Sequence, residues 1–167
     1  MKRSILACVF LAGCSGGSPD KPPAPRGPAT LEIVATSISR PSACPHTGKW
    51  ALCNVEQRLR QSGFVAKRVT GQPPNRAGFS VTPVVYTLGK SRLELFIYDD
   101  ESALARDVAK MDTVTVSPKG VTTSWEGTPL LIRAGNLAAV LIGDNPRQAD
   151  RLALALTAGA PQPGSPR

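Results

Sequence analysis

Residues 93–111 read LELFIYDDESALARDVAKM, and residues 137–155 read LAAVLIGDNPRQADRLALA. Each stretch opens with an apolar run typical of a β-strand, continues with acidic or amide residues that suit a helix cap, and ends in an amphipathic helical pattern. The two stretches align at an offset of 44 residues with few identities. They therefore predict a structural repeat in which a strand leads into a helix.

Each repeat is predicted to begin as the second strand of a β-hairpin. The predicted hairpin strands are residues 79–88 with 92–98, and residues 129–133 with 137–142. The second hairpin turns at Gly135-Asn136, a pair favoured in two-residue loops. Because such short links join antiparallel strands, the sequence predicts an antiparallel sheet of two hairpins, with shorter strands such as residues 113–116 added to it.

Three helices are expected to accompany the sheet. The first covers residues 49–62 and ends at Gly63, which readily adopts the left-handed conformation that stops a helix. The second is capped by Asp99 or Asp100, and the third is capped by Asn145. We therefore expect an α+β fold with about three helices on one face of the sheet, and approximate twofold symmetry between the two hairpin–helix repeats.

The start of the chain has the organisation of a signal peptide. Lys2 and Arg3 form a basic region, and residues 5–11 form an apolar run. That run is too short to cross a bilayer as a helix, which takes about 20 apolar residues. The pattern therefore predicts a cleaved signal in residues 1–13 and an extracytoplasmic mature chain.

The signal ends in Leu11-Ala12-Gly13-Cys14, and this segment resembles the lipobox of bacterial lipoproteins at every position. The resemblance implies cleavage before Cys14, a diacylglyceryl group on its thiol, and a further acyl chain such as palmitate on the freed amine. Several chains anchor a protein stably, whereas one chain binds only marginally. The alternative is an ordinary secretory signal with a chance cysteine, but no A-x-A-like cleavage site lies nearby.

Ser15, the residue after the lipobox, bears on the membrane that receives the protein. In Gram-negative lipoproteins an Asp at this place tends to retain the protein at the inner membrane. The resemblance therefore implies a lipid-anchored protein of the outer membrane that faces the periplasm. In an organism without an outer membrane it implies the outer side of the cytoplasmic membrane. The folded part is similar to many small bacterial lipoproteins, and that resemblance implies no activity.

Proline, glycine and serine mark both ends of the mature chain as spacers. Residues 14–30 are predicted to be a tether that reaches up to about 50 Å from the lipid. Residues 31–157 are long enough for one folded domain. Residues 158–167 are predicted to be a disordered tail.

Cys44 and Cys53 remain when Cys8 has left with the signal and Cys14 is acylated. An even pair in an oxidising compartment predicts a disulfide bond. The alternative is an envelope enzyme or metal-binding protein that uses the region of Cys44, His46 and Cys53. That spacing is not a zinc motif, and the sequence has no second histidine. No catalytic motif is present either, so we expect no catalytic residues, no metal and no cofactor.

Two further features have structural explanations. Asp99 and Asp100 are adjacent carboxylates that could form an acid–base pair, but helix capping explains them. Trp125 lies in a predicted loop, where an exposed ring would suggest a binding surface. We expect instead that this tryptophan is partly buried over the sheet.

The charge of the chain limits its partners. The formal net charge is +8, and it falls to +6 when the two basic residues of the signal are removed. Such a balance favours contact with anionic surfaces such as phospholipid headgroups. Nucleic-acid binding is not expected, because the basic residues form no run and aromatic residues make up only 5%. The densest basic cluster is Arg58, Arg60, Lys67 and Arg68, which is either a solvated face or a headgroup contact.

The functional expectation follows from this placement. The sequence predicts a membrane-anchored extracytoplasmic lipoprotein, held on the membrane through lipid on Cys14. Its domain is expected to be a non-enzymatic binding or accessory module of the cell envelope. The expected partner is a protein or an envelope polymer.

Overall fold

The computed structural model describes residues 43–163. The predicted signal peptide, the predicted lipidation site at Cys14 and the predicted tether lie outside these residues, as do residues 31–42 and residues 164–167. None of the helices within residues 43–163 is long and apolar enough to cross a membrane.

Three helices and seven strands make up the described part of the chain. In chain order they are α1 (Leu52–Gln61), β1 (Ala66–Arg68), β2 (Val84–Leu88), β3 (Ser91–Ile97), α2 (Glu101–Val108), β4 (Met111–Asp112), β5 (Ser117–Pro118), β6 (Pro129–Ala134), β7 (Leu137–Ile142) and α3 (Pro146–Thr157). Five strands form an antiparallel sheet in the order β1-β2-β3-β7-β6, and β4 pairs with β5 separately. The α+β fold and both predicted hairpins, β2–β3 and β6–β7, are confirmed.

Local signals explain where several elements end. After α1, Gly63 adopts a φ of 73°, and the backbone N–H of Phe64 donates to the carbonyl of Leu59 at 2.9 Å. This is the Schellman ending that the glycine predicts. Between β6 and β7, Gly135 has a φ of 56°, the left-handed conformation that a two-residue hairpin loop requires at its first position.

The prediction of a strand at residues 113–116 is wrong. Those residues form the turn that joins β4 to β5. The carboxylate of Asp112 accepts a hydrogen bond from the backbone N–H of Val114 at 2.9 Å, which bends the chain directly after β4. The alternation of threonine and valine in this segment therefore lies in a turn.

Side chains are buried on both faces of the sheet. On one face, α1 and α3 pack over odd-numbered residues of the central strands, such as Leu93, Leu95 and Leu141. On the other face, α2 packs over even-numbered residues, such as Phe96 and Val140. The helices therefore lie on both faces, which corrects the expected arrangement of three helices on one face.

The strand of the second repeat ends one residue later than that of the first, and this difference explains why α2 and α3 lie on opposite faces. Three residues connect strand to helix in each repeat, but β3 ends at Ile97 and β7 ends at Ile142. These two side chains belong to opposite cores, since the face alternates with every residue of a strand. The helix caps, Asp100 and Asn145, are accordingly 45 residues apart, one more than the offset that aligns the strands. Both repeats are present, but twofold symmetry does not extend to their helices.

Asn136, in the turn between β6 and β7, connects three parts of the fold. It is only 5% exposed, and its Oδ1 accepts a hydrogen bond from the backbone N–H of Trp50 at 2.7 Å. Its Nδ2 donates to the carbonyls of Trp50 at 3.0 Å and of Tyr98 at 2.7 Å. A residue predicted only as a turn former therefore ties the segment before α1 and the end of β3 to the second hairpin.

Replacing Asn136 with alanine is expected to lower the free energy of unfolding by about 2–4 kcal/mol, because buried backbone groups of Trp50 and Tyr98 lose their partner. Urea unfolding followed by circular dichroism measures the change. Asn75→Ala is the matched control, since Asn75 is exposed and its loss should change this free energy by less than about 0.5 kcal/mol. Equal effects of the two variants would contradict the role given to Asn136.

Candidate functional site

Cys44 and Cys53 form a disulfide bond, as predicted, and their Cα atoms are 5.6 Å apart. The bond ties the segment before α1 to the first turn of that helix. His46 lies between the two cysteines with an exposed side chain. Because the two sulfurs are bonded to each other, neither is a thiolate that could bind a metal ion. Within residues 43–163, no three His, Cys, Asp or Glu side chains are grouped closely enough to hold a metal ion.

The polar residues that follow β3 and β7 complete helix ends. Asp100 caps α2, because its carboxylate accepts a hydrogen bond from the backbone N–H of Ala103 at 2.7 Å. Asn145 caps α3 in the same way by accepting from the N–H of Gln148 at 3.2 Å. Asp99, the other residue considered for the first cap, is exposed beside it. The capping interpretation of this acidic pair therefore holds for Asp100.

Trp125 is half-buried, as predicted, and its indole is engaged on two sides. Its Nε1 donates a hydrogen bond to the carbonyl of Thr115 at 3.0 Å. The guanidinium of Arg76 lies over the ring, 4.4 Å from the ring centroid. The ring therefore packs on the domain and offers no free face to a ligand on that side.

A buried ion cluster that the sequence pattern did not reveal surrounds Glu94, in the middle of β3. Glu94 is fully buried, and its carboxylate accepts two hydrogen bonds from the guanidinium of Arg76, at 2.8 and 2.6 Å. The Nε of Arg92 lies 3.0 Å from the same carboxylate. The hydrogen bond with Glu94 raises the pKa of Arg76. Two arginines from different segments therefore surround this buried carboxylate.

Asp107 and Tyr98 form a second buried polar pair, beneath α2. The hydroxyl of Tyr98 donates to Oδ2 of Asp107 at 2.8 Å, and the backbone N–H of Ser80 donates to the same oxygen at 2.7 Å. Burial alone would raise the pKa of Asp107, but these hydrogen bonds outweigh burial and lower that pKa. Burial, and then the hydrogen bond to Asp107, raises the pKa of Tyr98. The pair therefore stays in one protonation state near neutral pH and joins α2 to the loop before β2.

A groove of about 520 Å³ runs along the open edge of the sheet. Its floor is β6, the last strand of the sheet, and its walls are α2 on one side and α3 on the other. It is lined by Glu101, Leu104 and Ala105 from α2, by residues 130–135, and by Ala153 and Thr157 from α3. Because the two helices lie on opposite faces, the groove opens in the plane of the sheet.

The hydrogen-bonding phase of β6 determines which backbone groups face this groove. Ala134 and Leu137 close a two-residue loop, so they form a hydrogen-bonded pair. Bonded pairs alternate along an antiparallel ladder, so the N–H and C=O groups of Leu131 and Arg133 point away from β7. Pro129 adds an outward carbonyl but has no N–H to add. Among the described residues, no strand pairs with this side of β6.

The two edges of the sheet differ in how they resist the addition of another strand. At the far edge, β1 has three residues, and both Lys67 and Arg68 are exposed. Short strands and basic side chains are common protections of a sheet edge. By contrast, β6 has six residues, a single charged side chain at Arg133, and a leucine, Leu130, that is 38% exposed. The β6 edge is therefore the better suited of the two to accept another strand.

The sequence contained a signal for two of the features that were missed. A proline in a predicted strand indicates a sheet edge, so Pro129 could have placed β6 at the end of the sheet. Glu94 stands between Leu93 and Leu95 in a strand with two apolar faces, which indicates a paired carboxylate. Neither signal identifies the neighbours, because Arg76 lies in a loop 18 residues before Glu94.

The geometry defines a small α+β domain whose antiparallel sheet has one open edge, set in a groove between helices. No protein-family model, curated protein or solved structure matches this chain. The function is therefore inferred from the open edge, the disulfide bond and the residues that precede Cys14.

Replacing both Cys44 and Cys53 with alanine is expected to lower the free energy of unfolding by roughly 2–3 kcal/mol, because the bond closes a loop of about ten residues. Guanidinium unfolding of the oxidised protein and the double variant measures the difference. His46→Ala, a change of an exposed residue in the same loop, should stay within about 0.5 kcal/mol of the wild type. Reaction of the native protein with a thiol reagent at these two cysteines would contradict the bond.

Proposed function

We propose that this protein is a lipid-anchored extracytoplasmic binding module without enzymatic activity, and that it binds an extended segment of a partner polypeptide along β6. The observation that carries the proposal is the open edge of β6 in the groove between α2 and α3. The proposed location is the outer membrane, facing the periplasm. In an organism without an outer membrane, it is the outer side of the cytoplasmic membrane.

Two features support the proposed location. Residues 11–14 resemble a lipobox, which supplies the acceptor thiol at Cys14. The bond between Cys44 and Cys53 supports an oxidising compartment, because disulfide bonds persist mainly outside the cytosol. Anchoring confines the domain and a membrane partner to one surface, which raises their effective concentration. A groove of modest affinity is then sufficient for function.

A bound segment would be held first by its backbone. On the open side of β6, Leu131 and Arg133 each offer one N–H and one C=O, and Pro129 offers a further carbonyl. A chain in extended conformation presents its own backbone groups at the same two-residue spacing. It would therefore add a sixth strand to the sheet, with main-chain hydrogen bonds that depend little on the sequence of the partner.

The walls of the groove would select the side chains of that segment. Successive side chains would point alternately toward Leu104 and Ala105 on α2 and toward Ala153 on α3. The small alanines leave space for larger apolar groups. Glu101 and Arg133 also line the groove, and within residues 43–163 neither of them forms a salt bridge. The expected partner segment is therefore extended, with apolar side chains at alternate positions and charged groups near one end.

The anchoring proposal predicts that the protein extracted from its native membrane carries several acyl chains at Cys14. Cys14→Ala should abolish acylation and leave the unprocessed precursor, since the acceptor thiol is gone. Intact-mass measurement of the detergent-extracted protein checks both results. Cys44→Ala combined with Cys53→Ala is the control, because it removes two other cysteines without changing the lipobox. Native protein that retains Cys14 without fatty chains would contradict the anchor.

The groove proposal predicts that extended peptides bind in a way that depends on one backbone N–H. Peptides selected from a displayed random library should bind the mature protein. Arg133→Pro should weaken their binding roughly five- to tenfold, because proline removes the outward N–H of that position. Arg133→Ala is the matched control, since it loses the same side chain and keeps the N–H. Titration with a fluorescent peptide measures each affinity.

Hydrogen exchange gives a second readout of the same binding. A bound peptide should slow exchange of the amides of Leu131 and Arg133, which face the groove, more than exchange of the amides in β1. Failure to select any peptide, or equal binding by the proline and alanine variants, would overturn the proposed use of β6. The result at Cys14 is independent of that outcome.

A further inference from the structure

A cavity of about 390 Å³ lies beside the first half of α3 and shares no lining residue with the groove along β6. Its walls are the turn after α1, the turn between β2 and β3, and the start of α3. Among residues 43–163, Arg147 and Arg151 supply its charged lining, and no acidic side chain lines it. The cavity is therefore complementary in charge to an anion.

The two arginines are presented from one side of α3, since residues four apart are neighbours on a helix surface. Arg151 is fixed, because its Nη2 donates to the carbonyl of Ser62 at 2.8 Å and its guanidinium lies 5.0 Å from the ring centroid of Phe64. Arg147 is exposed and, among the described residues, forms no salt bridge. Within residues 43–163, neither arginine therefore has a salt-bridge partner.

An exposed apolar side chain adjoins these charges. Val65 lines the same cavity and is 76% exposed. Lys67 and Lys90, which follow closely after cavity residues Val65 and Gly89, are exposed as well. Basic side chains beside an apolar one suit the surface of a bilayer, where cations meet headgroup phosphates and apolar groups enter the boundary with the acyl chains.

We propose that Val65, Arg147 and Arg151 form a docking surface for the phosphate groups of anionic phospholipids, which orients the domain on the membrane. This proposal rests on the lipid anchor proposed above for its access to a bilayer. An anchored domain stays within reach of headgroups, so a weak electrostatic contact is enough to orient it. The net charge of +6 on the mature chain also favours contact with an anionic bilayer. Because the groove along β6 uses other residues, docking leaves it available to a partner.

Other anions match this docking surface less completely. A soluble phosphate would contact the arginines but gain nothing from the exposed Val65. Single-stranded nucleic acid binds by stacking its bases on exposed aromatic rings. The aromatic residue that lines the cavity, Phe64, is only 7% exposed and lies beneath Arg151.

Vesicle flotation tests this proposal on the mature chain with Cys14→Ser, in which no acyl chain contributes to binding. Vesicles of phosphatidylcholine mixed with phosphatidylglycerol should bind the protein, and vesicles of phosphatidylcholine alone should not. Arg147→Gln combined with Arg151→Gln should weaken binding roughly 10- to 30-fold. Arg106→Gln combined with Lys110→Gln removes the same charge from exposed positions elsewhere and should weaken binding by less than about threefold.

Val65→Ser distinguishes a lipid surface from a soluble anion. It should weaken vesicle binding roughly threefold at unchanged charge, because the serine side chain gains less by leaving water. Circular dichroism checks the fold of each variant, and Arg147→Gln alone gives the same test if the double variant is unstable, since Arg147 is exposed.

Three results would overturn the docking surface. They are equal losses in the two charge variants, binding of inorganic phosphate without binding to vesicles, and preferential binding of a single-stranded oligonucleotide. Acylation of Cys14 is read separately by intact mass, so failure of the docking surface and failure of the anchor are distinguishable.

Discussion

β3 and β7 lie side by side in the middle of the sheet, and each of them buries side chains on both of its faces. Their register places Leu95 opposite Ala139 and Phe96 opposite Ala138, so large side chains of one strand lie next to small ones of the other. If one of these strands shifted by one residue along its partner, each of its side chains would move to the opposite face of the sheet and so to the other core. This pairing therefore determines where every helix can pack, with α1 and α3 on one face and α2 on the other.

A sheet that is covered on both faces leaves little room for charged groups, and those that it buries are paired. Glu94 meets the guanidinium of Arg76, and Asp107 meets the hydroxyl of Tyr98. An unpaired charge in such a place would cost several kcal/mol in lost hydration, which explains why each has a partner from another segment. These pairs, with the amide of Asn136, attach loops and α2 to the sheet, and apolar contacts hold all three helices against it.

The strand order also has a consequence for function. Because β3 and β7 occupy the middle, β6 ends the sheet and keeps one side of its backbone unpaired among the described residues. The split of α2 and α3 between the faces leaves that side accessible in the plane of the sheet. The start of α3 presents Arg147 and Arg151 at a separate cavity. Under the proposed function, these two separate surfaces would let the anchored domain bind a polypeptide and contact the bilayer at the same time.

What the sequence by itself determined is local. Strand alternation, the loop at Gly135-Asn136, the stop at Gly63 and the helix caps act over a few residues, so each was predictable. The pairing of Cys44 with Cys53 followed because the expected processing leaves no other cysteines to pair. Tertiary structure alone decided the face of each helix, the partner of Glu94 and the groove beside β6. These features depend on strand order and on contacts across long separations, such as the 86 residues between Trp50 and Asn136. A difference of one residue at the end of a strand was sufficient to place a helix on the other face of the sheet. Sequence patterns over a few residues do not predict the end of a strand to within one residue.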